Sequence, residues 1–198
     1  MPFLLRVSLP DVPGSLGRVA AAIGEAGGDI EAIEIVEKRH DGTAVDDVFL
    51  EMVDGAMPDS VVSACTELGD VKVLWISRYA AGGNVFLDLE AVEDLTAHRE
   101  GAVNRLVDLL PVVFRADWGA RVHRSDGVLR STETAPDSLG WVDLPEERMI
   151  ELDGDLLAGC LLGADDAVVI GRHGGPAFLA SELARLEHLS NLARTIAG

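Results

Sequence analysis

The amino-acid sequence predicts an α+β protein built from two domains, and three observations lead to this prediction. The chain has 198 residues, of which 48% are hydrophobic, which is enough material for two packed cores. Strand-like alternation and helix-like spacing of apolar residues are interleaved before residue 80 and again after residue 90. A small-residue stretch, AAGGN over residues 80–84, lies between the two parts. We therefore predict a domain over residues 1–80, a linker over 81–89 and a second domain over 90–198.

The first domain is predicted to have the element order βαββαβ. Alternation of apolar and polar residues indicates a half-buried first strand, and an Asp-Gly pair at residues 41–42 is typical of a hairpin turn. The predicted segments are a strand over 3–9, a helix from 16 to 27, a hairpin over 29–53, a helix from 58 and a strand within 70–79. This order places two helices on one face of an antiparallel sheet.

The second domain is predicted to place helices against a second antiparallel sheet. A helix over about 92–110 is followed by two strands around the Ser-Asp-Gly turn at 125–127. Three further strands are expected within ERMIEL, LLAGCLLG and DAVVIGRHGG, and the chain closes with a helix. That helix repeats apolar residues at helical spacing, namely Leu183, Leu186, Leu189, Leu192 and Ile196.

Composition excludes several classes of function. The formal net charge is −18, and residues 1–79 contribute −8 while residues 80–198 contribute −10. Nucleic acids and anionic membranes both need a basic surface, so neither is an expected partner. The sequence shows no leader-like segment and no apolar run of bilayer length, which predicts a cytoplasmic protein. The excess of Arg over Lys, 14 to 2, with abundant Ala and Gly is typical of a GC-rich bacterial source.

Cysteine and histidine usage gives no sign of a metal or disulfide framework. Cys65 and Cys160 lie in apolar stretches without a second ligand at metal-binding spacing, so buried reduced thiols are expected. The five histidines are expected to be solvated, namely His40, His98, His123, His173 and His188. We expect no metal site and no cofactor.

A stiff, polar corner joins the first strand to the first helix: residues 9–16 read LPDVPGSL. The amino end of a helix offers unpaired N–H groups and a partial positive charge, which suit a carboxylate. Asp11 adds a negative side chain that suits an ammonium group, while Pro13 and Gly14 fix the loop and admit close approach to the backbone. An α-amino acid carries both charges. The alternative interpretation is that Asp11 caps the turn and the Pro-Gly pair shapes it.

This corner and its surroundings resemble the ACT domain family. The resemblance rests on Asp11-x-Pro13-Gly14-x-Leu16 after the first strand and on Gly28-Asp29-Ile30 at the second, and it covers residues 3–79. It implies a ferredoxin-like fold that binds an amino acid or related small metabolite, often between two copies, and regulates a linked or separate enzyme. Carried over to this sequence, the ligand-binding candidates are Asp11, Val12, Pro13, Gly14, Ser15, Leu16, Asp29, Ile30 and Glu31. The acidic Asp29 replaces the amide common there, and with Glu31 beside Asp11 it would favour a cationic group.

Residues 90–198 are similar to a GAF domain. The residues that carry this similarity are Ala116-Asp117-Trp118-Gly119, the Asp126-Gly127 turn, and VVIGRHGGPAFLASELARL over 168–186. The similarity implies either a small-molecule sensor or a scaffold for dimerisation and signalling. A cyclic-nucleotide signature and a cysteine placed for chromophore attachment are both missing from the sequence.

The sequence offers no recognisable catalytic residues. GRHGGP over 171–176 lacks the Lys and Ser/Thr of a phosphate-binding loop, and no nucleophile-elbow pattern occurs. The acidic runs at 153–155 and 163–166 are typical of turns between strands.

The first hypothesis is therefore a non-catalytic cytoplasmic sensor, a homodimer that signals to a partner enzyme or regulator. The second hypothesis is a dimerisation or interaction module without a ligand. The third is a small hydrolase or transferase that uses an unrecognised pair of acids.

Overall fold

The computed structural model describes residues 2–78, 84–144, 149–152 and 154–198. The chain divides into two compact units, Met1–Gly83 and Asn84–Gly198. Each unit contains an antiparallel sheet with helices packed on it, which confirms the predicted α+β class. Within the described residues, no helix is long and apolar enough to cross a bilayer.

The first unit has the predicted order βαββαβ. Its elements are β1 (Pro2–Pro10), α1 (Ser15–Glu25), β2 (Gly28–Lys38), β3 (Thr43–Met52), α2 (Pro58–Glu67) and β4 (Lys72–Arg78). The sheet order is β2-β3-β1-β4, with antiparallel neighbours throughout, so β1 and β2 run in the same direction on either side of β3. This topology puts the β1–α1 corner at the same end of the sheet as the β2–β3 turn.

The core of the first unit lies between the sheet and its two helices. Residues of alternate positions on β1 meet one face of each helix, and all are buried: Phe3, Leu5, Val7, Leu9, Val19, Ile23, Val61 and Cys65. Gly27 ends α1 in the left-handed conformation, with φ of +85°. At Gly28 a β-carbon would lie 2.6 Å from Ile23 Cγ2, so glycine permits the close approach of β2 to α1.

The prediction of a half-buried β1 is wrong, because Leu4, Arg6 and Ser8 on its other face are also buried. Arg6 donates from Nε and Nη2 to the two carboxylate oxygens of Asp47, at 2.7 and 2.9 Å. A paired arginine can be buried at a position where an alternating pattern predicts a solvent-facing charge. The sequence pattern alone does not reveal the partner on β3.

In the described part of the second unit, three α-helices pack on one face of a five-stranded sheet. The elements of this unit are α3 (Asn84–Ala97), a 3-10 turn (Arg99–Gly101), α4 (Ala102–Phe114), β5 (Trp118–His123), β6 (Gly127–Ser131), β7 (Met149–Leu152), β8 (Asp155–Leu161), β9 (Asp166–His173) and α5 (Ala180–Ala197). The sheet order is β6-β5-β9-β8-β7, with antiparallel neighbours. The predicted strands and closing helix are thus confirmed.

Two expectations for the start of this unit need correction. The single helix predicted over 92–110 is two helices, α3 and α4, separated by residues 98–101. The predicted linker over 81–89 includes the first turns of α3, because residues 84–89 are helical; residues 81–83 lie outside the described part. Leu87, Ala91 and Leu95 recur every four residues and are buried, which explains why the helix begins so early.

The second sheet is covered on both faces. The three helices pack on one face, where the buried residues include Leu106, Leu110 and Ile170. On the other face, residues of the segment 135–144 pack against Trp118, Val122 and Leu157. The loop segment therefore encloses a second, smaller core.

Candidate functional site

The corner between β1 and α1 forms an exposed projection next to the hairpin turn of the same sheet. Asp11, Val12, Pro13 and Gly14 are all exposed, and Gly14 adopts the left-handed conformation with φ of +92°. The Asp11 N–H donates to the Gly42 carbonyl at 2.9 Å. This bond fixes the corner to the hairpin turn that follows β2.

Among the described residues, no side chain caps the amino end of α1. Gly14 occupies the N-cap position, and it has no side chain that could make a capping hydrogen bond. The Asp11 carboxylate instead accepts from Lys38 Nζ at 3.0 and 3.1 Å. The Asp11 side chain is thus engaged with Lys38 and not with the first turn of α1, where the Ser15 N–H donates to the Val12 carbonyl at 3.2 Å. The alternative interpretation, in which Asp11 and the Pro-Gly pair only shape the turn, stays a prediction.

Two buried polar groups accompany this corner. Ser15 Oγ and Asp46 Oδ1 are buried and have no hydrogen-bond partner among the described residues. Burial raises the pKa of the Asp46 carboxyl above its ordinary value, and the nearby charges of Asp11 and Asp47 raise it further, while Lys38 opposes them. Asp46 is thus close enough to the corner to respond to its charges.

Sequence reasoning missed Asp46, although a signal was present. The strand TAVDDVFLEM contains two consecutive acids, which point to opposite faces, in an otherwise apolar run. Asp47 meets Arg6, while Asp46 stays on the face of Val7, its neighbour on β1. An acid on a buried strand face is costly and is therefore a candidate functional residue.

The remaining candidates, Asp29, Ile30 and Glu31, lie at the other end of the sheet. Asp29 pairs with Glu51 and Lys38 pairs with Ala44, so seven residue steps along β3 separate them. At 3.3 Å per residue the separation is roughly 23 Å. Within one chain, the structure brings Asp11–Leu16 together but does not bring Asp29–Glu31 beside them.

The glycine-rich segment GRHGGP, residues 171–176 of the second unit, makes packing contacts. Arg172, in GRHGGP, is buried and donates to the carbonyls of Phe114, Arg115 and Pro176 at 2.6, 3.2 and 3.2 Å. It also pairs with Glu182 at 2.5 Å. These contacts tie the carboxyl end of α4 to α5, which is a structural role.

The expected solvation of the histidines is only partly met. His173 is 78% exposed, yet its Nδ1 lies 2.7 Å from Asp155 Oδ1. His98 and His123 also lie within ion-pair distance of an acid, Asp94 and Asp126 respectively. No group of three or more His, Cys, Asp or Glu side chains in the described part of the chain could hold a metal ion.

A comparison with protein families matches residues 3–69 to the family described as the ACT domain, which is about a third of the chain. No curated protein matches the chain. Among solved structures, it is similar to a formyltetrahydrofolate deformylase from Pseudomonas putida KT2440, with 12% identity and a TM-score of 0.32, over 42% of this chain and 30% of the deformylase. It is also similar to an unknown protein from Galdieria sulphuraria, with 11% identity and a TM-score of 0.34, over 86% of this chain and 78% of the other.

The chain therefore spans about 30% of the deformylase's length. The family match covers the corner, both helices and the first three strands of the first unit. Residues 3–69 therefore match the ACT domain family, whose domains are typically regulatory and bind small molecules.

Proposed function

We propose that this chain is a non-catalytic sensor whose ACT domain binds an amino acid or a related small metabolite at the β1–α1 corner. One observation carries the proposal: within the part of the chain that the structure describes, the amino end of α1 has no side-chain cap, and two buried polar atoms near it have no hydrogen-bond partner. Ser15 Oγ and Asp46 Oδ1 are those groups, and both are buried. Unpartnered buried polar atoms are uncommon in folded proteins and call for an explanation.

The chemistry of the corner suits a zwitterion. The N–H groups of the first turn of α1 would receive the α-carboxylate, aided by the helix dipole. The ammonium group would lie near Asp11 and Asp46, replacing Lys38 as the partner of Asp11. A cation there would also stabilise the ionised form of Asp46 and so lower its pKa.

We further propose that the ligand binds between two copies of the chain. Asp29 lies roughly 23 Å along the sheet from Lys38, the partner of Asp11, so one ligand cannot contact Asp11 and Asp29 of the same chain. In a two-fold pair, each contact is made twice with the roles exchanged. The corner of one copy can then meet the beginning of β2 of the other, which would create two equivalent sites.

The second unit is proposed to be GAF-like and to mediate dimerisation or contact with a partner enzyme or regulator. Its helices before and after a five-stranded antiparallel sheet support this assignment. Several residues of the segment 168–186, on which the similarity to GAF domains rests, contact one another: Arg172 contacts Pro176, Phe178 and Glu182. Three apolar side chains on α3 and α4 are more than half exposed and are available for such a contact, namely Phe86, Leu89 and Val112.

Thermal unfolding in the presence of each of the twenty amino acids tests the ligand proposal. A ligand at about 100 times its dissociation constant stabilises a protein by roughly 2.7 kcal/mol, and at about 4–8 °C per kcal/mol this raises the Tm of a small domain by roughly 11–22 °C. We expect such a shift for one or two amino acids in the wild type and none in Asp11→Ala. The control Asp137→Ala removes an exposed acid from the second unit and should keep the shift.

The alternative outcomes favour the other hypotheses. If no amino acid raises the Tm while the chain still forms a stable dimer, the interaction module becomes the better function. If Asp11→Ala keeps the full shift, a ligand binds somewhere other than the corner, and the proposed site is wrong.

A further inference from the structure

The second unit contains a cavity between its sheet and the loop segment 136–142. Its volume is about 560 Å³, within the usual range of roughly 300–1,000 Å³ for small-molecule sites. The lining residues come from β5, β8 and the loop, and the aromatic ones are Trp118 and Trp141. The cavity belongs to the second unit alone and is independent of the proposed amino-acid site.

The sheet is shaped to hold Trp118 in the wall of this cavity. Trp118 pairs with Gly171 across β5 and β9, and a β-carbon at Gly171 would collide with the indole ring. The indole therefore lies against the backbone of β9. On the adjacent strand, a β-carbon at Gly159 would lie 2.7 Å from Leu144 Cδ1, so glycine also admits the loop to the sheet.

Asp155 supplies the charge of the cavity. One carboxylate oxygen accepts from Trp118 Nε1 at 2.9 Å, and the other lies 2.7 Å from His173 Nδ1. The bond from Trp118, together with His173, holds the pKa of this carboxyl below its ordinary value, so Asp155 is ionised at neutral pH. Among the described residues that line the cavity, none is Lys, Arg or His.

Aromatic faces and a carboxylate attract the same kind of ligand. The face of an indole ring carries negative electrostatic potential and binds cations, as does an ionised carboxylate. Trp141 already shows this property, because the Arg124 guanidinium lies 4.3 Å from its ring centroid. A phosphate or carboxylate ligand would find no cationic partner in this lining and would be repelled by Asp155.

We propose that this cavity binds a small planar molecule that carries a protonated nitrogen, with its rings against the two tryptophans and its nitrogen directed to Asp155. The walls provide the apolar and aromatic contact area, and Asp155 orients the ligand. His173 competes for the same carboxylate, so the ligand binds by displacing or sharing that contact.

Three isosteric probes test the ligand class on the full chain: benzamidinium, benzamide and benzoate are a cation, a neutral amide and an anion. Binding is followed through the indole N–H signals in ¹H–¹⁵N spectra, with each signal assigned by a Trp→Phe variant. The chain has three tryptophans, and Trp75 in the first unit serves as an internal control. We expect benzamidinium to shift the signals of Trp118 and Trp141 but not that of Trp75, with an affinity at least about tenfold above that of benzoate.

The variant Asp155→Asn should remove this preference for the cation, whereas Asp137→Asn, which changes an acid outside the lining, should keep it. His173→Ala should strengthen benzamidinium binding, because it frees an oxygen of Asp155. If Asp155→Asn does not fold, the three probes on the wild type still decide the ligand class. Equal or tighter binding of benzoate would overturn the proposed class, and no shift with any probe at millimolar concentration would overturn the site.

Discussion

Asp46 is the residue whose charge is least well accommodated in the ACT domain. It is 2% exposed, and one of its oxygens has no hydrogen-bond partner among the described residues. Folding raises the pKa of Asp46. Between the unfolded and the folded pKa, the folded protein therefore keeps a proton on Asp46 that the unfolded chain has released. The contribution of Asp46 to stability therefore falls as the pH rises from the unfolded pKa through the folded one.

The loss of stability at Asp46 with rising pH gives a testable prediction for Asp46→Asn. Below the ordinary pKa of aspartate, both side chains are neutral and the two proteins should unfold with similar free energies. As the pH rises to neutrality, the variant should become more stable than the wild type, by on the order of 1 kcal/mol. Urea unfolding across this pH range measures the difference.

Asp41→Asn is a control with the opposite sign. Hydrogen bonds from the Thr43 hydroxyl and N–H hold the pKa of Asp41 below its ordinary value. Its ionised form therefore stabilises the fold above that value, and the variant should be the less stable protein at neutral pH. A difference for Asp46→Asn that does not change with pH would show that the raised pKa has another origin or is absent.

At the scale of single residues, the sequence predicted the residues of the β1–α1 corner but neither Lys38 nor the buried Asp46 beside it. Asp11, Pro13 and Gly14 stand in a local pattern that is visible in consecutive letters. The partner of Asp11 is Lys38, 27 residues away, and Asp46 approaches the corner through strand pairing. Such contacts depend on the register of the sheet, which a single sequence does not specify.

At the scale of elements, the second unit depends on the contact that Arg172 makes between α4 and α5. The guanidinium satisfies carbonyls at the end of α4 and pairs with Glu182, which also accepts the Leu179 N–H at the start of α5. Both side chains of the pair are almost fully buried, at 2% and 7% exposure. Removing one partner of such a pair leaves the other charged and unpaired.

We predict that Arg172→Met lowers the unfolding free energy by about 3–5 kcal/mol. Adding Glu182→Leu removes the orphaned charge and should recover part of this loss. The exposed pair Arg130–Asp108 provides the control, because Arg130→Met should cost at most about 1 kcal/mol. Strictly additive effects of the two buried substitutions, measured by chemical denaturation, would contradict the proposed coupling.

The succession of strands along the chain was predictable because each strand carries its own pattern of apolar residues and lies next to a recognisable turn. The break between α3 and α4 was missed: residues 98–101 read HREG, three polar residues and a glycine, which is only a weak stop signal inside a long helical pattern. The start of α3 was masked by the small residues of AAGGN, which indicate a linker locally although the buried Leu87 belongs to the core. Packing at Leu87 and Ala91, rather than local propensity, extends the helix.

At the scale of the whole molecule, the separation between the corner and the beginning of β2 predicts a shared site. We expect Asp11→Ala and Asp29→Ala each to abolish ligand binding as separate proteins. When the two are mixed and allowed to exchange subunits, each mixed pair contains one site with both residues altered and one intact site. Calorimetric titration should then recover binding in the mixture.

If the mixture still binds no ligand although mass analysis shows mixed pairs, the whole site lies within one chain. A wild-type chain mixed with Asp11→Ala serves as the control, since its mixed pairs retain one intact site. The net charge of −18 on each chain opposes pairing, so the exchange should be carried out at moderate salt, where this repulsion is screened.

The position of Asp29 at the opposite end of the sheet from Asp11 has a consequence for how such a sensor would respond in a cell. If each ligand is held by two chains, ligand binding and chain association strengthen one another by linkage. The concentration of metabolite needed for half-saturation would then fall as the abundance of the protein rises. Expression level would set the sensitivity of the response without any change in the amino-acid sequence.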